Sequence, residues 1–181
     1  KLKNKHKLPE NCSLIFVSNH QATFDIPPIG WYFRKHNPKF VSKIELGKGI
    51  PSISYNLKKG GAALINRKDP KQAIGELIEF SKRINKNKWG AAIFPEGTRS
   101  RTGEPKKFAA NGLKIITKFN QDGYVVPLTI NNSWKVFKYG KFPLGIGSPI
   151  TITTHEPIKI DSIPFNELLA KTETIIKEHI K

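Results

Sequence analysis

Methionine is absent from the chain, cysteine occurs once, at Cys12, and 14 acidic residues face 31 lysines and arginines. Each scarcity excludes something. A single cysteine rules out a disulfide framework and a cysteine-based metal site within the chain. The five histidines (His6, His20, His36, His155 and His179) lack close ligand spacing such as H-x-x-x-H, so no protein-bound metal is expected. No stretch approaches the roughly 20 apolar residues of a membrane span, and there is no signal-peptide pattern. Without even an initiator methionine, the sequence is expected to be a fragment or a processed form.

The shortage of acid leaves a net charge of +17. Bases cluster at Lys1, Lys3, Lys5 and Lys7, at Lys82, Arg83, Lys86 and Lys88, at Arg99, Arg101, Lys106 and Lys107, and at Lys135, Lys138 and Lys141. Such an excess favours an anionic partner: a nucleic acid, an acidic lipid surface, a phosphorylated substrate or an acidic carrier protein. The alternative is a set of merely solvated charges. With 181 residues, 38% hydrophobic and 25% charged, one folded domain over residues 1–181 with a sizeable core is the natural expectation.

Apolar runs alternate with periodic ones. Strands are predicted at 12–18, 39–42, 62–65, 89–94 and 124–130, the last irregular or near an edge because it contains Pro127. Ile150–Thr154 and Pro157–Ile160 are further strand material. Helices are predicted over 26–36, from a turn at 43–46 restarting toward Leu57 and stopped by Gly60-Gly61, from Asp69-Pro70 onward, over 108–119, and from Phe165 to His179. In the helix after Pro70, Ile74, Leu77, Ile78, Ser81 and Ile84 form the apolar face. Residues 1–11 read as an exposed lead-in, and 131–148 as a long basic, aromatic segment. The glycines at 47, 49, 60 and 61 fit neither a dinucleotide fingerprint nor a Walker loop. Together these features predict an α/β fold with a mostly parallel or mixed central sheet flanked by helices.

The chemistry is expected at Ser18-Asn19-His20-Gln21-Ala22-Thr23-Phe24-Asp25. His20 follows a buried-looking strand, at the end where open α/β sheets place ligands. An imidazole suits general-base work, and a carboxylate fixes its tautomer and steadies its charge. Five residues along a regular helix rotate by roughly 500°, so His20 and Asp25 would not share a face. Their pairing needs an irregular turn, with Asp25 at the next helix's start. The alternative is a loop histidine and a helix-capping aspartate.

A second loop, Phe94-Pro95-Glu96-Gly97-Thr98-Arg99-Ser100, lies some 75 residues later. With Asn19-His20-x4-Asp25, with Lys43-x-Glu45-Leu46 to Pro51, Gly61 and Ile65-Asn66-Arg67, and with Val126-Pro127-Leu128, it resembles the glycerolipid acyltransferases. The likeness is to lysophosphatidic acid acyltransferases in particular (PlsC-like), and the motif-bearing part covers 12–130. Ala22, where serine is common, and the less aromatic Ala63-Leu64-Ile65-Asn66 depart from the usual pattern.

The resemblance implies a glycerol-phosphate acyltransferase-like fold and acyl transfer from an acyl thioester to the sn-2 hydroxyl of lysophosphatidic acid. The thioester, acyl-coenzyme A or acyl-acyl carrier protein, is a co-substrate, and no bound cofactor is implied. His20 is the implied base and Asp25 its orienting carboxylate. Arg99 and Arg67 are the implied phosphate contacts, Lys43 a helper, and Glu96, Gly97 and Thr98 shape the acceptor loop. Backbone amides near Asn19, or around Pro127 to Thr129, are candidate oxyanion donors. An anionic membrane surface is the implied partner, contacted in part by 134–142, on the cytoplasmic face of the inner or plasma membrane. A membrane-anchoring segment is expected upstream of Lys1. Other acceptors stay open: glycerol 3-phosphate, another lysophospholipid or an amino-acid lipid. So does a non-catalytic basic module, although nucleic-acid binding would explain neither Asp25 nor Glu96.

Overall fold

Five strands run parallel at the centre of the molecule, and their order brings the motif loops to one edge. The computed structural model describes all residues except 4–5, 49–50, 141 and 146. Lys5, Gly49 and Lys141, singled out above, lie outside the described residues. In chain order the strands are β1 (Leu2–Lys3), β2 (Leu14–Ser18), β3 (Lys39–Lys43), β4 (Ala63–Ile65), β5 (Gly90–Ile93), β6 (Tyr124–Asn131), β7 (Thr151–Thr154) and β8 (Ile158–Lys159). The helices are α1 (Ile26–Tyr32), α2 (Pro51–Lys59), α3 (Pro70–Asn87), α4 (Ala110–Lys118) and α5 (Phe165–Glu178). The sheet order is β1-β7-β6-β2-β5-β3-β4, with β8 also on β6. Strands β2 to β6 are mutually parallel, and β7 and β8 run antiparallel to β6.

Alternation along β2 divides the core. Ile15 and Val17 pack with Leu77, Phe80 and Ile84 of α3, Leu113 and Ile116 of α4, and Leu168 and Ile176 of α5. Leu14 and Phe16 face the other way, toward Ile29 and Phe33. Both faces are covered, so β2 carries no polar residue before Ser18.

Local signals set the boundaries. The Asp69 carboxylate caps α3 by accepting from the Gln72 amide at 3.1 Å, and Pro70 opens the helix. Gly61, at φ +83°, turns the chain after α2.

Several expectations are corrected. Strand β6 is interior, not at an edge. Pro127 is tolerated because its carbonyl accepts from His155 N at 3.0 Å on the β7/β8 side, while β8 pairs only to Val125 and β7 only from Leu128. A residue's N–H and C=O point to the same strand edge, so the missing donor falls where partners change, not in the β2 ladder. Residues 2–3 are not a free lead-in; they add a parallel strand to β7. The helix over 26–36 stops at Tyr32, and a separate 3-10 turn covers Arg34–His36.

On α3, Ile74 is 48% exposed, whereas Phe80 is fully buried. Phe80 belongs to the buried stripe with Leu77, Ser81 and Ile84, about 120° round the helix from Ile74. Phe80→Ala should therefore cost about 3–5 kcal/mol, and Ile74→Ala less than about 1 kcal/mol, in denaturant unfolding. Equal losses would show that α3 packs on its Ile74 face.

Candidate active site

The carboxyl ends of four of the five parallel strands deliver the motif residues to one place: His20 after β2, Lys43 closing β3, Arg67 after β4, Thr98 and Arg99 after β5. Crevices at strand ends are where open α/β sheets bind ligands.

The loop after β2 is fixed first. Asn19 is buried, and its side chain holds β6 twice: Nδ2 donates to Ile130 O at 2.8 Å and Oδ1 accepts from Ile130 N at 2.7 Å. The chain then turns through a 3-10 segment, Thr23–Asp25, that runs into α1. This is the irregular turn that pairing demands, with Asp25 as the residue preceding α1. His20 Nδ1 lies 2.8 Å from Asp25 Oδ2. The same oxygen accepts from Gln21 N at 2.7 Å and Ala22 N at 2.9 Å. Oδ1 accepts from Ser133 Oγ at 2.5 Å. The Asp25 side chain has no exposed surface, and that of His20 is 16% exposed.

An ionised carboxylate can only accept, so Nδ1 of His20 carries its proton and Nε2 presents a lone pair. Among the described residues nothing bonds to Nε2. The imidazole stacks on Phe94, with ring centres 4.2 Å apart and planes at 22°.

Glu96 links the two loops. Its Oε1 accepts from His20 N at 2.9 Å and its Oε2 from Lys106 N at 3.0 Å. Ser100 N donates to His20 O at 2.7 Å. Burial pushes the Glu96 carboxyl above its ordinary range, and the two amide bonds pull it partly back. Glu96 thus holds the backbone of both loops.

The amides of His20, Gln21 and Ala22 are committed to Glu96 and Asp25, and that of Ile130 to Asn19. They are not free to serve as oxyanion donors, which corrects the expectation for the amides beside Asn19.

A cleft of about 780 Å³ opens beside His20. Its rim carries Lys43, Arg67, Arg99 and Arg101 against one acid, Glu45. Its wall carries Val41, Ile65, Leu77, Ile93, Ala109 and Gly112. Gly97 (φ +71°) and Thr98 also line it. Arg99 Nη1 donates to Thr23 Oγ1 at 2.6 Å, and Arg67 Nη1 donates to Gly97 O. Partial burial draws the Arg67 guanidinium below its ordinary value, and Glu45 opposes that. Lys106 Nζ donates to Thr98 Oγ1 at 2.7 Å and to Arg99 O at 3.3 Å. The fold thus brings all eight expected site residues to this end of the sheet.

Sequence reasoning missed Ser133, Thr23, Arg101 and Lys106. Arg101 and Lys106 had a signal, as bases in and after the second loop. Ser133 had none, lying beyond the last recognised block. Trp134 is partly buried, packed on Gly103 so closely that a Cβ there would stand 2.5 Å from its Nε1. Within 134–142, the segment expected to contact lipid, Tyr139 and Phe142 are the more exposed rings, at 64% and 88%.

Comparison with known proteins agrees with this geometry. A family model described as Acyltransferase matches residues 1–131. The chain belongs to the acyltransferase family. It is 34% identical over 127 residues to the 1-acyl-sn-glycerol-3-phosphate acyltransferase of Helicobacter pylori, covering 68% of this chain and 50% of that protein. It is 31% identical over 137 residues to the Saccharomyces cerevisiae protein of the same name, covering 72% and 43%. The chain therefore spans half or less of these relatives' lengths. The crystal structure of the lysophosphatidic acid acyltransferase PlsC from Thermotoga maritima superposes with a TM-score of 0.80 at 26% identity, over 98% of this chain and 68% of that one.

Glu96→Gln keeps one acceptor but turns an NH2 group toward a backbone N–H. It should cost about 1–3 kcal/mol and speed amide hydrogen exchange at His20. Unchanged exchange there would remove Glu96 as the tether between the loops.

Proposed function

We propose that this acyltransferase domain moves a fatty acyl group from an acyl thioester to the sn-2 hydroxyl of lysophosphatidic acid, giving phosphatidic acid. The observation that carries the reading is an Asp25-oriented His20 facing a cleft that is cationic at its rim and apolar along its wall. A phosphorylated amphiphile needs both halves.

The acceptor oxygen attacks the thioester carbonyl carbon while His20 Nε2 takes the hydroxyl proton. Asp25 steadies the resulting imidazolium. The tetrahedral intermediate collapses, the C–S bond breaks, and the thiolate recovers the proton from Nε2. No enzyme nucleophile takes part, and the two substrates account for every atom. Arg99 and Arg67, with Lys43 and Arg101, hold the phosphate; guanidinium groups suit it because they give paired, charge-assisted bonds. Coenzyme A or an acyl carrier protein supplies the thioester.

The substrates live in bilayers, and no described helix is long and apolar enough to cross one. An exposed aromatic surface offers another contact. Phe24, Trp31, Tyr139 and Phe142 are 43%, 65%, 64% and 88% exposed. Phe24 stacks on Phe137 at 5.5 Å, which joins the α1 side to the segment after β6, and its neighbour Thr23 lies at the cleft. Arg34 sits over Trp31 and Lys138 over Tyr139. Aromatic rings interleaved with cations suit an anionic headgroup layer, here on the cytoplasmic face of the membrane.

Wild type should form phosphatidic acid from lysophosphatidic acid and a long-chain acyl-coenzyme A in mixed micelles. His20→Ala should lower kcat by roughly 10³-fold or more. Arg99→Ala should chiefly raise the KM for lysophosphatidic acid. Persistent activity in His20→Ala would exclude the base, and indifference of Arg99→Ala would point to an acceptor without phosphate. A Trp31→Ala/Phe142→Ala double variant should bind phosphatidylglycerol vesicles at least roughly tenfold more weakly while keeping its turnover of a micellar substrate. Undiminished vesicle binding would take this face off the membrane.

A further inference from the structure

We infer that Ser133 is a positioning residue for the reaction: its hydroxyl fixes the Asp25 carboxylate, and through it the His20 imidazole. The inference rests on the acyl-transfer reading above and concerns a residue two positions past the part of the chain that matches the family.

A buried carboxylate requires donors on both of its oxygens. Asp25 has no exposed side-chain surface, so water is a poor substitute for a lost donor. Its two oxygens are served unequally. Oδ2 has three donors: His20 Nδ1, Gln21 N and Ala22 N. Oδ1 has one among the described residues, Ser133 Oγ at 2.5 Å. Rotation about the Cβ–Cγ bond swings both oxygens together, and the donors at Oδ2 resist it from one side of the carboxylate only. The bond at Oδ1 stops that rotation and sets the plane in which Oδ2 meets Nδ1.

Ser133 is itself held. Its amide donates to Gln21 Oε1 at 3.1 Å, and its hydroxyl lies 3.3 Å from the same oxygen. A hydroxyl has one proton to donate, and the shorter, charge-assisted bond to Asp25 takes it. The amide bond also fixes which way Gln21 points, because a flipped side chain would set NH2 against the Ser133 N–H. Ser133 has no exposed surface, which excludes it as a nucleophile toward substrate.

The chain is shaped to bring this hydroxyl here. Asn132 adopts the left-handed conformation, φ 68°, which asparagine tolerates better than most residues. It turns the strand end of β6 back over the loop after β2. Asn131 anchors the turn: its side chain donates to His179 O at 3.0 Å and accepts from Lys181 N at 2.8 Å. The β6 strand that Asn19 clamps from the front therefore returns to hold Asp25 from behind.

The test compares Ser133→Ala and Ser133→Thr with wild type, in the lysophosphatidic acid assay and by the downfield proton NMR resonance of His20 Nδ1–H. Ser133→Ala should lower kcat roughly 10- to 100-fold, with both KM values within about twofold, and should shift or broaden the resonance. Ser133→Thr keeps the hydroxyl and should recover most of kcat and the wild-type signal. If its melting temperature collapses, Ser133→Cys, close in size with a weak donor, replaces it and should recover part. An Ala variant with wild-type kcat and an unmoved resonance overturns the inference. So does equal loss in Ala and in a folded hydroxyl-bearing variant with the resonance unmoved, which would mean packing alone. The resonance needs no substrate, so it reads the Ser133 contact even if wild type proves inactive on lysophosphatidic acid. That failure would count against the acceptor and not against the contact.

Discussion

A carboxylate shut away from water, with no lysine or arginine against it among the described residues, governs the geometry of this site. A buried carboxyl such as that of Asp25 is costly unless enough donors converge on it. Two come from the turn that precedes its own helix, one from His20 and one from Ser133. That need makes the turn after Asn19 tight and non-helical, because only a tight turn aims the amides of Gln21 and Ala22 at a side chain three or four residues on. It also joins β2 to β6, since Ser133 reaches Asp25 only while Asn19 and Ile130 hold the two strand ends together.

Glu96 repeats the device at the next strand. It accepts from the backbone of His20 on one side and Lys106 on the other, so the two motif loops share one anchor. The acids at the centre of the site are thus occupied with donors. The bases carry fewer partners: Lys43, Arg67, Arg99 and Arg101 line the cleft with Glu45 as the one acid of that lining, and Arg67 and Arg99 each donate to a neutral oxygen, Gly97 O and Thr23 Oγ1. Part of the chain's cationic excess thereby stands where an anion would enter.

Much of this was legible in the sequence. Apolar runs at Leu14–Val17 and Ala91–Phe94 could only be buried strands, and strands alternating with periodic helices imply a largely parallel sheet. The His20–Asp25 spacing excluded a regular helix between them, and the structure has a 3-10 turn there. The failures have physical causes. Pro127 reads as an edge signal because proline lacks a donor, yet the strand order lets that donor be missed at a change of partners. Leu2 and Lys3 carry no strand signal of their own, since two residues become a strand only once β7 is there to pair with. Phe80 shares the buried α3 face with Leu77, Ser81 and Ile84, whereas Ile74, about 120° round the helix from Phe80, fits a helical period with Leu77 and Ser81 yet falls at the margin of that face. Ser133 could not be found by pattern, since its partner Asp25 is 108 residues away in sequence and a serine after two asparagines reads as an ordinary turn.

Where a phosphorylated amphiphile would lie follows from the layering of the fold. Strand ends give way to polar loops, and those loops carry the cations. Beneath them the space between sheet and helices is apolar, lined by Ile93, Leu77 and the helix start at Ala109 and Gly112. Small residues are required at that start: a Cβ on Gly112 would stand 3.1 Å from Ile93 Cδ1, so larger side chains there would fill the wall of the cleft. A charged head therefore belongs at the rim and a hydrocarbon chain along the wall. The glycerol hydroxyl between them would fall at the boundary, where β2 ends. That boundary is where His20 stands, stacked on Phe94 and fixed through its backbone by Glu96. The parallel sheet thus supplies the one location where a base can meet both the polar and the apolar end of the same molecule.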